Sequence, residues 1–179
     1  DGFHTIADKE ITAKNITEDN KNLYVLAEKY TKLNTCDIAK NIIQTSNHYL
    51  RREQCFLFCS QDFADLYDES YLLTHPSVKY NEKYHQGFVE GSNGLVTLCP
   101  LPQLEGSKKF YLAPKKVMMW GTDNKSAQSF TQVDCFEPFR LTFSATMFFG
   151  VQFRSIDPRL MRVIDVSAQS ATSGSGDQG

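Results

Sequence analysis

The sequence CFLFCSQDFADLY at residues 55–67 passes from a strand pattern to a helix pattern with no loop between them. It begins with a continuous apolar run, Cys55–Cys59, whose length and aromatic content are typical of a strand buried on both faces. Ser60 can cap the following helix, and Asp62 is placed favourably in the first helical turn. The stretch therefore predicts a buried strand that leads directly into a helix.

Two more helices are expected before this unit. Between residues 18 and 34 the apolar side chains recur at three- and four-residue steps, which is typical of an amphipathic helix. Thr35 offers an N-cap hydroxyl for a second helix that reaches Arg51. Residues 1–17 show no clear period and are interpreted as an N-terminal extension. After the third helix, residues 68–86 are polar and rich in Tyr, which predicts a long irregular connection.

The second half of the chain predicts strands. Apolar and polar residues alternate from Phe139 to Arg154, with Phe148 as the exception, which indicates one long antiparallel strand. Residues 130–136 are its expected partner, residues 162–166 form a shorter final strand, and a turn at 91–94 separates two further short strands. The predicted fold class is α+β, with helices mainly in 18–71, an antiparallel sheet mainly in 87–166, and a flexible tail at 167–179.

Composition excludes several classes of protein. The chain has 179 residues and a formal net charge of −2, which argues against a nucleic-acid binder that works by neutralising phosphates. No run approaches the roughly 18 apolar residues of a membrane span. The five cysteines are odd in number and unevenly spaced, which favours buried thiols in a reducing compartment over a disulfide framework. We expect one soluble domain with a core at 18–166.

Three kinds of catalytic or binding site can be tested against the sequence. Cys55 and Cys59 with a histidine could ligate a metal, but three large apolar residues between the thiols leave no turn to bring both onto one ion. A thiol-dependent hydrolase is the alternative, because Cys59 precedes a helix start and His75 or His85 could serve as its base. The glycines at 87–94 lack the Lys-Ser/Thr and the helix of a phosphate-binding loop. We expect no metal and no cofactor.

Tyrosines in or beside the irregular stretch are the candidates for an interface. Tyr67, Tyr71, Tyr80 and Tyr84 would offer large contact area with a polar end, although packing within the loop explains them equally well. Phe148, on the polar side of the long strand, is expected to pack on a helix, a loop or a neighbouring subunit. A small adaptor domain that binds protein through the tyrosines is therefore a further hypothesis.

The order of these features between Asp37 and Val166 resembles the core of tailed-phage major capsid proteins, especially those of phages infecting Bacteroides-like hosts. The segments that carry the resemblance are the helix ending near 50–52, FLFCSQDFA at 56–64, LCPLP at 98–102, FYLAPKKVMMWGTD at 110–123, the strand at 139–154, and the final strand after Pro158. It covers about three quarters of the chain.

The resemblance implies a shell subunit built from axial and peripheral domain elements, and not an enzyme. It implies hexamers and pentamers of the chain in an icosahedral virion capsid, formed in a bacterial host's cytoplasm, with scaffolding or portal proteins as further partners and DNA enclosed without sequence-specific binding. The family usually has an N-terminal arm and an extended loop before a long spine helix. Only 18–34 is available for that helix, so we expect a core in which the arm and loop are absent or reduced.

Overall fold

The computed structural model describes residues 2–74, 87–122, 130–137, 140–146 and 149–167, and within them the chain forms three α-helices and nine strands. The helices are α1 (Phe3–Thr12), α2 (Thr35–Gln44) and α3 (Gln61–Thr74). The strands are β1 (Leu23–Val25), β2 (Cys55–Cys59), β3 (Val96–Pro100), β4 (Lys109–Ala113), β5 (Met118–Thr122), β6 (Phe130–Glu137), β7 (Arg140–Thr146), β8 (Phe149–Phe153) and β9 (Arg162–Asp165). The predicted α+β class is confirmed.

The central sheet has five strands in the order β1-β9-β4-β2-β3. It is mixed, which corrects the expected antiparallel sheet, because β1 runs parallel to β9 and β2 runs parallel to β3. The chain leaves β2 through α3 before it reaches β3, and a helical connection of this kind returns the chain to a parallel neighbour. Within this sheet, the pairs β2–β4 and β4–β9 are antiparallel.

Each face of the central sheet is buried in its own core. Along β4, Phe110 and Leu112 lie in the core formed with α2 and α3, whereas Tyr111 and Ala113 lie in the core formed with α1. This division follows from the period of two along a strand. The first core also holds Leu57 of β2, which is completely buried, so the strand expected at Cys55–Cys59 is confirmed.

The expected change from strand to helix after β2 is also confirmed. Helix α3 begins at Gln61, and the Ser60 hydroxyl accepts a hydrogen bond from the backbone N–H of Phe63 at 3.3 Å. That bond satisfies one of the amide groups that a helix leaves without a partner in its first turn. The turn predicted at 91–94 is confirmed as well, since Gly91 and Gly94 adopt φ values of +77° and +76°.

The helix expected over residues 18–34 is wrong, because this segment contains strand β1 and no helix. The buried Asn22 side chain accepts a bond from Thr17 N and donates to Asn15 O and Ile156 O, which holds the chain extended before β1. Pairing with β9 then satisfies the backbone of β1. These tertiary bonds outweigh a local periodic pattern, which is only a weak determinant of structure.

Two helix boundaries also differ from expectation. Helix α2 ends at Gln44 instead of continuing to Arg51, and a short 3-10 turn at Leu50–Arg52 follows it. Helix α3 continues to Thr74, so residues 68–74 are helical and not part of an irregular connection. Residues 75–86 lie outside the described part of the chain, as do residues 168–179 of the expected tail and Phe148.

The stretch expected to form one strand from Phe139 to Arg154 is divided between β7 and β8. The two strands pair antiparallel with different partners, β7 with β6 and β8 with β5, in separate two-stranded sheets. Alternation reports an extended backbone and cannot identify which strand lies beside it. The predicted pairing of residues 130–136 with this stretch is confirmed by β6 and β7.

Arg162 of β9 is a buried cation that joins the central sheet to α2. Its Nη1 lies 2.8 Å from the Ile42 carbonyl oxygen and 2.7 Å from the Thr45 hydroxyl, at the C-terminal end of α2. The guanidinium carbon lies 4.9 Å from the centre of the Tyr24 ring on β1. Burial lowers the Arg162 pKa from its ordinary value. The negative end of the helix dipole and the ring face therefore compensate this charge in place of a carboxylate.

We predict that Arg162→Ala destabilises the protein by about 3 kcal/mol, because it leaves a buried carbonyl group and a hydroxyl without their charged donor. Urea unfolding followed by circular dichroism measures the change. Arg159→Ala is the matched control, since Arg159 is exposed and pairs with Asp157 at 2.8 Å in a solvated ion pair. Equal midpoints for the two variants would contradict the structural role of Arg162.

Candidate assembly surface

The ribbon formed by β5 and β8 has an apolar face. Strand register places Met118 opposite Phe153, Trp120 opposite Val151, and Thr122 opposite Phe149. Side chains two residues apart on a strand, and those directly opposite across a pair, point to the same face. Met118, Trp120, Phe149, Val151 and Phe153 therefore share one face, which is the pattern of a surface that packs against a second layer.

Burial along this face decreases from one end of the ribbon to the other. Phe153 is buried in the α1-side core, with its ring centre 5.0 Å from that of Phe3 and 5.8 Å from that of Tyr111. Trp120 and Phe149 are 67% and 61% exposed, and their ring centres lie 6.5 Å apart. The apolar face thus begins inside the core and continues into solvent.

Burial of the exposed part of this ribbon would be favourable in free energy. Large aromatic side chains present about 150–250 Å² each, so the exposed fractions of Trp120 and Phe149 leave about 250 Å² of apolar surface in water. Complete burial of that surface corresponds to about 6 kcal/mol before the opposing entropy terms. An isolated two-stranded ribbon is also marginally stable in water. Both facts favour a partner on this face.

Positive charge lies at the base of the ribbon, where it joins the central domain. Lys115 and Lys116 precede β5, and Arg154 follows β8, with its N–H donating to the Val117 carbonyl at 2.8 Å. Lys116 pairs with Glu53 at 2.8 Å. Within the described residues, neither Lys115 nor Arg154 forms an ion pair. The base of the ribbon therefore carries two cations without an ion-pair partner among the described residues.

A separate open cleft of about 500 Å³ lies at the start of α3. Its polar lining includes Ser60, Asp62, Asp65, Ser107 and Lys108. Ser60 already caps α3. Among the described residues there is no group of three or more side chains that could ligate a metal ion. The cleft has two carboxylates and one amine on its wall, and the residues that line it include neither histidine nor cysteine.

Hydrogen bonds of His4 join α1 to β4 and to the loop before it. His4 Nδ1 lies 2.7 Å from the Tyr111 hydroxyl, and His4 Nε2 lies 3.3 Å from the Ser107 hydroxyl. Burial lowers the pKa of His4 and raises that of Tyr111, so both are neutral near pH 7. The Ser107 hydroxyl also bonds both the N–H and the carbonyl of Lys109. These bonds, with the Asp8–Lys109 ion pair, hold α1 on β4.

Cys59, the expected nucleophile of the hydrolase alternative, is completely buried in the α2–α3 core. Burial, and to a smaller extent Cys99, raises its pKa from 9.0 to about 12. A nucleophilic cysteine reacts as its thiolate, and this environment keeps the thiol protonated. His75 and His85, its expected bases, lie outside the described residues.

Two of the four tyrosines expected at an interface are buried in the structure. Tyr67 and Tyr71 lie on the buried side of α3, and Tyr67 is 2% exposed, with its hydroxyl accepting a bond from Glu90 N at 2.9 Å. They are buried because α3 extends through the predicted loop, which puts residues four apart on its inner side. Neither of them offers surface to a partner. Tyr80, Tyr84 and Phe148 lie outside the described residues.

Trp120 and Phe149, the exposed aromatics of the ribbon, were missed as interface candidates. The alternating pattern places Phe149 on the apolar face of its strand, but the register with β5 was needed to show that Trp120 lies beside it. No protein-family model, curated protein or solved structure matches this chain. None of the described helices is long and apolar enough to cross a membrane.

Alkaline pH is expected to destabilise the protein through Cys59. The folded state holds the pKa of this thiol near 12, whereas the unfolded thiol ionises near 9.0, so the stability is present below pH 9 and is lost as pH rises towards 12. Urea unfolding at pH 8 to 10.5 should show a falling free energy of unfolding. Cys59→Ala should lose stability less steeply, by about 1 kcal/mol per pH unit. Parallel slopes for the two proteins would contradict the buried, protonated thiol.

Proposed function

We propose that this chain is a structural subunit of an icosahedral phage head shell that self-assembles through repeated contacts with copies of itself. The observation that carries the proposal is the uncovered apolar face of the β5–β8 ribbon, on which Trp120 and Phe149 are exposed. A contiguous exposed apolar face on an otherwise well-packed protein is typical of an interaction surface. The resemblance of residues 37–166 to tailed-phage major capsid proteins supports the same conclusion.

Exposed apolar side chains on several separate elements support more than one contact per subunit. Besides the ribbon, Leu33, Tyr49, Leu72 and Leu73 are exposed, and they belong to different parts of the chain. A shell subunit meets neighbours on several sides through weak contacts that symmetry repeats. Each contact can therefore be small, below the roughly 800 Å² per partner of a stable pairwise complex.

The remaining features of the proposal follow from the same subunit role. Hexamers and pentamers of the chain would enclose DNA, and scaffolding or portal proteins would be additional partners in a virion formed in a bacterial cytoplasm. A formal net charge of −2 suits subunits that pack closely without mutual repulsion, and it suits a wall that encloses DNA without gripping it.

The two alternative functions, a thiol-dependent hydrolase and an adaptor domain, have weaker support than a shell subunit. A thiol-dependent hydrolase needs an ionised, accessible Cys59, and burial of this thiol opposes both conditions. An adaptor that binds through tyrosines needs exposed rings, and Tyr67 and Tyr71 are buried. The exposed ribbon does not depend on either chemistry, so a self-associating subunit accounts for it more directly.

Expression of the full gene product that contains this chain, alone and together with the products of neighbouring genes, tests the proposal. We expect rings or closed shells in negative-stain electron microscopy and a concentration-dependent high-mass fraction in analytical ultracentrifugation. A preparation that stays monomeric under all these conditions, while circular dichroism shows it folded, would overturn the proposal.

A further inference from the structure

We propose that Asn93 is a site of spontaneous deamidation, and that the isoaspartate formed there opens the turn that leads into β3. The turn is Ser92-Asn93-Gly94-Leu95, and the Leu95 N–H closes it by donating to the Ser92 carbonyl at 3.1 Å. The asparagine and the glycine at its centre have φ values of +55° and +76°. The chemistry of this turn is independent of the proposed function.

The residue that follows Asn93 makes this position reactive. Deamidation begins when the backbone nitrogen of the next residue attacks the side-chain amide carbon of the asparagine. A side chain on that next residue obstructs the approach, whereas glycine has no Cβ and allows the widest range of backbone conformations. Among the asparagines of the chain, only Asn93 is followed by glycine.

The surroundings of Asn93 leave both reacting groups accessible. The Asn93 side chain is exposed. Within the described residues, neither the Asn93 amide nor the Gly94 N–H makes a hydrogen bond. A Cβ placed on Gly94 would meet none of the described residues within 4 Å apart from its chain neighbours, so the space beside it is open. The rotation that brings the two groups together has to break one turn bond, from Leu95 to Ser92.

Other asparagines have amides that are already bonded. Asn22 is 2% exposed, and its Nδ2 donates to two carbonyl oxygens. The Asn15 Nδ2 donates to a carboxylate oxygen at 2.8 Å, and the Asn34 Nδ2 donates to a carbonyl oxygen at 3.0 Å. Leucine, isoleucine and threonine follow these three residues, and each of them has a Cβ. The three asparagines are therefore internal references for Asn93.

The reaction consumes water and releases ammonia, with no change of oxidation state. Hydroxide removes the proton of the Gly94 N–H, and this nitrogen forms a bond to Asn93 Cγ. The bond from Cγ to the amide nitrogen breaks, and that nitrogen takes a proton from water and leaves as ammonia. Water then opens the cyclic imide at either of its two carbonyls. One opening gives aspartate, and the other gives isoaspartate, in which the main chain runs through Cγ.

Isoaspartate adds one carbon to the main chain between positions 93 and 94. The loop at 90–95 then no longer matches the pair that it joins, in which the Val89 N–H donates to the Val96 carbonyl at 2.9 Å. Both valines are 2% exposed and belong to the α2–α3 core. Loop length determines which residues lie opposite each other across such a connection. Deamidation at Asn93 therefore destabilises the start of β3.

Timed incubation followed by mass spectrometry tests the site. The chain is kept at pH 7 and at pH 9 and then digested in H₂¹⁸O, so that any conversion during digestion carries the heavy oxygen. We expect the Asn93 peptide to lose its amide at least about tenfold faster than the peptides of Asn15, Asn22 and Asn34, because glycine leaves the approach open. Both aspartate and isoaspartate should form, and faster at pH 9. Equal rates at the four asparagines, aspartate without isoaspartate, or a rate independent of pH would overturn the site.

Two variants separate ring formation from the added charge. Asn93→Gln keeps an amide, but its extra methylene disfavours ring closure, so its peptide should convert about tenfold more slowly. Asn93→Asp carries the charge from the start, and Asp accepts a positive φ. Once most of the unmodified chain has converted, the amide hydrogens of residues 87–100 should exchange about tenfold faster than in freshly prepared Asn93→Asp. Equal exchange in the two samples would overturn the opening of the turn by isoaspartate.

Discussion

Strands β2, β4 and β9 contribute apolar side chains to both faces of the central sheet, and this two-sided burial determines where the other elements lie. Successive residues of β4 point into different cores, with Phe110 facing α2 and α3 and Tyr111 facing α1. Such strands are stable in water only when both faces are covered. The helices therefore form two layers, and Arg162 reinforces one of them by binding the end of α2 from within the sheet.

The two layers are not equally complete. On the α2–α3 side, two helices that pack on each other cover the sheet. On the other side, α1 covers the core as far as Phe153, and the apolar face of β8 continues beyond it. The exposed surface at Trp120 and Phe149 is thus an extension of the core and not an isolated group of aromatic residues. A layer that covered this surface would continue the one that α1 begins.

The sequence supports correct predictions where a signal is local. The apolar run at Cys55–Cys59 and the capping hydroxyl of Ser60 predict a strand and the start of a helix, and both features act through residues within one turn. The helix expected at 18–34 fails because pairing between β1 and β9 joins residues about 140 positions apart. The prediction that Tyr67 and Tyr71 lie at an interface is wrong for a related reason. Helix α3 is longer than expected, and its inner side places both rings in the core. Trp120 becomes a candidate only when the register of β5 on β8 is known.

The position of β9 also bears on how the chain folds as it is synthesised. This strand lies between β1 and β4 in the sheet, although it is the last of the three to leave the ribosome. Until then β1 has no neighbour, and the α2 carbonyl that Arg162 binds has no donor from the sheet. Contacts between distant parts of a chain form slowly and leave unpaired edges exposed in the meantime. The N-terminal strand of this sheet therefore finds its neighbour only after residue 165 has emerged, and until then the edges of β1 and β4 that face β9 stay unpaired.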